Sequence, residues 1–240
     1  MTSADAVANH IDNRDLGLAL LGFASGTMDA LAFLNLRQVF PSAMTGNTAL
    51  LGVALGQGHL IAASRPLIAF AGFLIGAAVA AAGVDLWFEG CPVSRAIRSL
   101  LALEACLLAA FAVVWQFADR PIAGVGLYPL IVLASSAMGI QSRTARLIDR
   151  PGITTVVFTS TLTAIATAAI AALLRRPHRL PFTTKRQIGM FLIYAVGAVV
   201  GGLLAPEGTS IAFLPFVSVV CAAALQWRAT KRDGSSAPRP

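Results

Sequence analysis

Long apolar blocks constrain the fold of this chain more than any other feature. There are eight of them, at 16–34, 40–57, 66–86, 99–118, 122–141, 153–174, 188–205 and 209–227. A block of about 20 apolar residues matches the hydrocarbon core of a bilayer, which is about 30 Å thick. Only 12% of the residues are charged, about half the share of a soluble domain. The sequence therefore predicts an all-α, polytopic helical membrane protein with about eight transmembrane helices (six to eight).

Whether the second block crosses the membrane decides between eight transmembrane helices and a smaller number. Its clearly apolar part, 49–56, is too short to cross a bilayer alone. Either the helix begins near Phe40 and tolerates Pro41 in its first turn, or the block is a half-helix. A six- or seven-span arrangement follows if 40–57 re-enters the membrane or if the last hairpin does not cross.

The net charge of +7 is accounted for by a membrane location and does not require binding to nucleic acid. Lys and Arg lie mostly in short loops between apolar blocks, as the positive-inside rule describes. In an eight-span arrangement, twelve of the 18 fall on the side of the termini, which predicts both termini in the cytoplasm. The six exceptions are Arg37, Arg95, Arg98, Arg143, Arg146 and Arg150.

Three internal matches indicate a repeat. Residues 22–29 resemble 135–142, residues 44–55 resemble 158–169, and residues 73–81 resemble 194–202. The offsets of 113, 114 and 121 follow in the same order. They predict two membrane half-repeats, 16–118 and 119–227, flanked by a polar cytoplasmic N-terminus, 1–15, and a basic disordered tail, 228–240. With four spans in each half, both halves would enter the membrane in the same direction, related by an axis along the membrane normal.

An acid interrupts the first apolar block. An Asp at the centre of a spanning helix costs about 2.5–3.5 kcal/mol on insertion scales. Asp29 is therefore expected to face the bundle interior as an ion- or proton-coupling carboxylate. The alternative is a carboxylate that snorkels outward and pairs with Arg37. Glu104 and Asp85 lie near the ends of their apolar blocks, where snorkelling is cheap, and we expect no role for either.

A small polar cluster follows at 42–48. Gly46 allows close backbone approach, and Thr45 and Asn47 offer hydroxyl and amide groups. A helix N-terminus here would point free N–H groups at a ligand, as discontinuous transporter helices do. The alternative is a helix cap at the membrane surface, with Pro41 at the first helical position and Ser42 or Thr45 satisfying the backbone.

The second half carries counterparts of these residues. Gln141, Ser142, Thr159 and Thr161 are predicted to face the first-half cluster, and Arg37 and Arg143 to bind an anionic group or to lie in solvated loops. From residue 155 onward, threonines recur at every fourth position and share one helix face. They either line a polar path or serve packing. GxxxG pairs serve helix packing; they are Gly22/Gly26, Gly52/Gly56, Gly72/Gly76 and Gly197/Gly201.

Nothing in the chain indicates an enzyme. Three cysteines form no CxxC pair, and three histidines show no metal-ligand spacing, so no metal or cofactor is expected. No Ser-His pair or paired acids occur at useful spacing.

Three stretches resemble the YoaK-like family of bacterial membrane proteins, also called domain of unknown function 1275. They are "GFASGTMDALAFL", "VFPSAMTGNTALLG", and "AMGIQSRTAR" followed by "TTVVFTSTLT". The resemblance implies an integral membrane protein of bacteria and brings no activity with it. Phe158 and Ser160 stand where the family often has Met and Gly.

The residues favour a small secondary transporter or permease with a polar site around Asp29, Thr45, Gly46 and Asn47. Its partners would be the lipid bilayer, a small solute or ion, and a possible second copy of the chain. The alternative is a membrane interaction or structural protein whose polar motifs only lock helices together.

Overall fold

The computed structural model describes residues 12–148, 158–174, 182–205 and 209–235. Within these ranges the chain forms eight α-helices: α1 (Asn13–Asn35), α2 (Met44–Gly56), α3 (Leu60–Trp87), α4 (Val93–Phe117), α5 (Leu127–Ile148), α6 (Phe158–Leu174), α7 (Phe182–Leu204) and α8 (Phe213–Ser235). Five of them, α1, α3, α4, α5 and α7, are long and apolar enough to cross a membrane. The predicted class, a polytopic helical membrane protein, is confirmed.

Local signals set where the helices begin and end. The Asp12 side chain accepts hydrogen bonds from the N–H groups of Arg14 and Asp15, and the Asp15 side chain accepts one from the Asp12 N–H. This capping box starts α1 three residues before the apolar block. α8 continues as a helix to Ser235, so the first eight residues of the tail that was predicted to be disordered are helical.

Contacts at one end of the bundle, here called the terminal end, define the helix directions. The Gln226 side chain donates to the Arg14 carbonyl, and the Arg98 guanidinium lies 5.1 Å from the centre of the Trp227 ring. The starts of α1 and α4 therefore meet the C-terminal part of α8. An ion pair between Asp15 and Arg186 brings the start of α7 to the same end.

α3 and α5 run the other way. Ile148, at the end of α5, shares a cavity with Arg14 and Val93 at the terminal end. The hydroxyl groups of Ser64 and Tyr128 lie 3.2 Å apart, so α3 and α5 start together at the opposite end, called the distal end. α1 and α5 are consequently antiparallel.

Two helices do not cross between these ends. α1 ends and α3 starts at the distal end, so α2 leaves and returns on one side. Its 13 residues span about 20 Å, which is shorter than the bilayer core. α6 likewise lies between the end of α5 and the start of α7, both at the terminal end. Six helices, α8 in addition to the five candidate spans, run from one end to the other, as in the re-entrant alternative for 40–57.

The antiparallel course of α1 and α5 corrects one expectation. If both halves entered the membrane in the same direction, their first helices would be parallel. Each half instead contributes three crossing helices, and an odd number of crossings inverts the second half relative to the first. The predicted axis along the membrane normal is therefore wrong. Its premise of four crossings per half failed because α2 and α6 each return to the side from which they start.

Glycines bring two parallel helix pairs into backbone contact. A Cβ added at Gly26 of α1 would meet the carbonyl of Tyr194 on α7, and one at Gly139 of α5 would meet the carbonyl of Phe73 on α3. Gly197 and Gly76 sit in the same two interfaces, against Phe23 and Ser136 respectively. Three of the predicted glycine pairs thus serve packing.

The pair Gly52/Gly56 differs. A Cβ added at either position has no neighbour within 4 Å, so the packing role predicted for these two glycines is not borne out.

Apolar side chains lie on the outside of the bundle as well as inside. Trp115 and Phe111 are fully buried among α1, α4, α5 and α8. On the outer faces of α3 and α7, Leu74 is 61% exposed and Leu203 is 70% exposed. Such faces suit contact with lipid tails, which are as apolar as leucine.

We expect Gly26→Ala and Gly139→Ala each to lower the free energy of unfolding by about 1–3 kcal/mol, because the added methyl group overpacks a backbone contact. Gly52→Ala and Gly56→Ala are the matched controls and leave the Tm in detergent unchanged or slightly raised. Equal losses of Tm at all four positions would contradict this packing.

The six-crossing topology predicts the sides of two loops. In a cysteine-free background, Glu89→Cys should react with a membrane-impermeant maleimide from the same side as an N-terminal tag, and Gln57→Cys from the opposite side. Eight crossings would exchange the two results, so labelling of Gln57→Cys from the tag's side would refute the topology.

Candidate functional site

The chain folds back into the bundle after α1. Arg37 and Gln38 have φ values of 62° and 66°, a left-handed conformation that is uncommon outside glycine, and they reverse the chain. The following non-helical residues carry Ser42 back to Asp29, which lies six residues, or about 9 Å, before the end of α1. α2 then begins at Met44 and returns to the distal end. Residues 36–56 are called the re-entrant hairpin below.

Asp29 is the anchor of this hairpin. It is 2% exposed. Its Oδ1 accepts the Ser42 N–H at 2.8 Å, and its Oδ2 accepts the Ser42 hydroxyl at 2.5 Å and the Tyr194 hydroxyl at 2.8 Å. One carboxylate therefore joins α1, the re-entrant hairpin and α7. Hydrogen bonds to charged groups are among the stronger ones in proteins.

The alternative of a snorkelling Asp29 is not observed. Arg37 is exposed at the distal end, and its carbonyl accepts a hydrogen bond from Arg65 at 3.1 Å. In the part of the chain that the structure describes, Asp29 forms no ion pair. Its hydrogen-bonding capacity is used within the bundle instead.

The polar cluster at 45–48 shapes the hairpin. Asn47 accepts the Phe40 N–H at 3.0 Å and donates to the Phe40 carbonyl at 2.7 Å. Both backbone groups of a non-helical residue are thereby satisfied, as a bilayer requires. A Cβ at Gly46 would lie 3.0 Å from the Phe40 ring, which stacks on Phe33 at 5.0 Å. Gly46 and Asn47 therefore stabilise the reversal of the chain through their contacts with Phe40.

Thr45, by contrast, is exposed. The first-half residues that the sequence grouped around Asp29 therefore divide by role in the described structure. Asn47 and Gly46 contact Phe40, and the carboxylate is contacted by Ser42 and Tyr194.

The second-half residues are not brought to Asp29. Gln141 Nε2 donates to the Leu21 carbonyl at 3.0 Å and to the Ser25 hydroxyl at 2.6 Å. Ser25 lies one turn from Asp29 toward the terminal end, and Ser142 continues in that direction because α5 runs antiparallel to α1. The expectation that Gln141 and Ser142 face Asp29 rested on halves of equal direction; in the structure Gln141 instead contacts Ser25, one helical turn away.

The remaining second-half predictions have simpler outcomes. Thr161 is buried at the start of α6, and the side chain of Thr159 lies outside the described residues. Arg143 is partly exposed near the terminal end of α5, so it lies at the opposite end of the bundle from Arg37. These two arginines do not form a common anion site.

Sequence reasoning missed Ser42 and Tyr194 as partners of the Asp29 carboxylate, and it placed Glu104 wrongly within its helix. Ser42 was considered only as a cap, and Tyr194 lies 165 positions from its partner. A signal existed for Tyr194, because a tyrosine within an apolar helix needs a partner for its hydroxyl. Glu104 lies near the middle of α4 rather than near an end, and it is fully buried.

The bundle and the hairpin locked onto Asp29 define a multi-pass helical membrane protein with a re-entrant segment. The chain belongs to the family described as "Protein of unknown function (DUF1275)", whose model matches residues 17–226. It is 32% identical over 202 residues to the UPF0700 transmembrane protein YoaK of Bacillus subtilis (strain 168), covering 81% of this chain and 85% of that protein. No solved structure matches this chain.

A double-mutant cycle tests the anchor. Removing the Tyr194 hydroxyl in Tyr194→Phe should lower the free energy of unfolding by about 0.6–1.7 kcal/mol, the range for hydrogen bonds between membrane helices. In an Asp29→Ala background the same change should cost clearly less than in wild type, because this acceptor is gone.

Ser136→Ala is the matched control for this cycle. The Ser136 hydroxyl donates to the Gly72 carbonyl at 3.0 Å in the α3–α5 interface, so its cost should add to that of Tyr194→Phe. Energetic coupling between Tyr194 and Ser136 would contradict the assigned contacts. So would the absence of coupling between Tyr194 and Asp29.

Proposed function

We propose that this protein is a small permease of the bacterial inner membrane whose transport path passes the re-entrant hairpin at Asp29. The observation that carries the proposal is non-helical backbone at residues 39–42, buried beside a carboxylate within a spanning helix. Irregular backbone at membrane depth is tolerated where it is buried in protein or lines a water-filled cavity. Ionisable residues inside membrane bundles commonly mark ion and substrate pathways.

An inverted internal repeat supports this class. α1 packs most extensively on α7, and α5 packs in the same way on α3. The glycines at these interfaces, Gly26 with Gly139 and Gly76 with Gly197, are separated by the offsets of 113 and 121 found in the sequence. Inverted repeats related by an axis in the membrane plane build several families of secondary transporters.

The position of that axis follows from one contact. Ser25 donates a hydrogen bond to the sulfur of Met138 at 3.7 Å, and the two residues are themselves 113 positions apart. Residues related by a two-fold axis touch each other only where the axis passes. In the proposed repeat the axis would therefore cross the bundle at Ser25 and Met138, one helical turn from Asp29.

The charge distribution supports a cytoplasmic position for the terminal end. Of the 13 Lys and Arg within the described ranges, three lie at the distal end, Arg37, Arg65 and Arg120. The ten at the terminal end are Arg14, Arg95, Arg98, Arg143, Arg146, Lys185, Arg186, Arg228, Lys231 and Arg232. By the positive-inside rule, this distribution supports cytoplasmic termini, and four of the six exceptions of the eight-span arrangement no longer violate the rule.

The anchor suggests how ion binding would couple to opening. A proton or small cation bound at Asp29 takes up carboxylate lone pairs that Ser42 and Tyr194 otherwise use. Ion binding and attachment of the hairpin are then competing events. Release of the hairpin would open the bundle toward the distal end, where a cavity of about 160 Å³ lies between Arg37 and Gln57.

A second candidate is a non-transporting membrane protein. It is favoured by the fact that the hydrogen bonds accepted by Asp29 come from Ser42 and Tyr194, both within the protein. In that case the carboxylate only fastens the hairpin, and ligands do not change the stability of the fold.

Ligand-dependent stability separates the two functions. We expect at least one ion or small metabolite to raise the Tm of wild type and of Ser136→Ala, because a ligand that binds the folded state stabilises it by RT ln(1 + [L]/Kd). The same compound should leave the Tm of Asp29→Asn unchanged. Proteoliposomes should take it up at least about tenfold faster with wild type than with Asp29→Asn.

Two results would favour the non-transporting protein instead. One is a panel that shifts no Tm in any variant. The other is a compound that stabilises Asp29→Asn as much as wild type and is not taken up by proteoliposomes.

A further inference from the structure

A second acid lies within the membrane bundle. Glu104 is fully buried near the middle of α4. Neither of its carboxylate oxygens has a hydrogen-bond partner among the described residues. It is separate from the anchor, whose contacts come from α1, the re-entrant hairpin and α7.

The register of the helices places Glu104 halfway through the bundle. α4 and α8 are antiparallel, with Arg98 over Trp227. Glu104 lies six residues after Arg98 on α4, and Cys221 lies six residues before Trp227 on α8. Glu104 is therefore level with Cys221 and Ala222. On the other side of α4, Leu100 packs with Ile140 of α5. Because α4 and α5 are antiparallel, one turn further brings Glu104 to the level of Ser136, two residues from Met138.

No charged group compensates this carboxylate among the described residues. On α4 itself, Arg95 donates to the Cys91 sulfur and Arg98 lies over Trp227. On α5, Arg143 and Arg146 lie at the terminal end, and Asp85 of α3 is exposed there.

The charged residues of α8 are also remote from Glu104. Arg228, Lys231, Arg232 and Asp233 follow Trp227. They therefore lie beyond the level of Arg98, which is six residues, or about 9 Å along the helix, from Glu104.

We propose that Glu104 is a proton-binding site, held as the neutral acid in this conformation and exchanging its proton with water when α4 shifts against α5 and α8. An ionised, unpaired carboxylate in an apolar interior is strongly disfavoured. A proton needs one oxygen, whereas a hard metal cation needs about six to eight. Among the described residues there is no group of three or more acidic, His or Cys side chains that would hold a metal ion.

A water-sized cavity approaches this site to within about two helical turns. A cavity of about 120 Å³ opens at the terminal end between Arg14, Ser94 and Ile97. Ile97 precedes Glu104 by seven residues, which is about two helical turns. A shift of α4 that extends this cavity by about two turns would let Glu104 exchange its proton toward the proposed cytoplasmic side. The proton site does not require that Asp29 take part in transport.

The infrared spectrum of the intact protein tests the protonation directly. The chain has three glutamates, Glu89, Glu104 and Glu207. The double variant Glu89→Gln/Glu207→Gln, labelled with carboxyl-¹³C glutamate and reconstituted in lipid nanodiscs, retains Glu104 as the sole labelled acid. We expect a ¹³C-shifted carbonyl stretch of a protonated carboxylic acid at neutral pH. A ¹³C carboxylate band in its place would overturn the proposal.

The pH dependence of stability provides a second measurement. The folded state then holds one proton more than the unfolded state at neutral pH, so stability falls as the pH rises. The folded-to-unfolded ratio of wild type should decrease by up to about tenfold per pH unit above the ordinary titration range of glutamate. Glu104→Gln should lose this component, and Asp29→Asn should retain it. An unchanged slope in Glu104→Gln would contradict the proton site.

Discussion

The hydrogen bonds accepted by Asp29 hold together parts of the chain that no apolar contact could fix as specifically. A bilayer offers no water to a non-helical backbone, so each exposed N–H group must find a partner in the protein. Asp29 supplies one for Ser42, and Asn47 supplies both partners of Phe40. The re-entrant hairpin exists because these two side chains satisfy its backbone, and the hairpin in turn inverts the topology by removing one crossing.

The inverted topology accounts for features that are otherwise unrelated. It brings four arginines to the side of the termini, which an eight-span arrangement leaves on the wrong side. It explains why the two closest helix pairs, α1 with α7 and α3 with α5, carry glycines at matching positions. At the offsets of the proposed repeat, Ser142 and Phe73 correspond to Asp29 and Tyr194. The anchor is therefore built on one half only.

Composition and hydrophobic length were sufficient to predict the helical membrane class, the approximate helix positions and Asp29 as an interior carboxylate. They could not predict direction, since the apolar pattern of 40–57 fits a helix that begins near Phe40 and crosses as well as a half-helix that returns. The partnership of Tyr194 with Asp29 depends on a parallel α1–α7 contact between distant segments. Glu104 was misplaced because the apolar block starts after Arg98, whereas α4 begins at Val93 and carries Arg98 onto the Trp227 ring.

Hydrogen exchange of the hairpin amides, followed by mass spectrometry, tests most directly the claim that Asp29 holds the re-entrant hairpin. Wild type and Asp29→Ala would be compared in the same lipid nanodiscs, with the α3–α5 interface as an internal reference. The account predicts that peptides covering residues 39–47 exchange at least about tenfold faster in Asp29→Ala, while peptides around Gly76 and Gly139 keep their protection. Unchanged protection of the hairpin in Asp29→Ala would contradict the central role of this carboxylate.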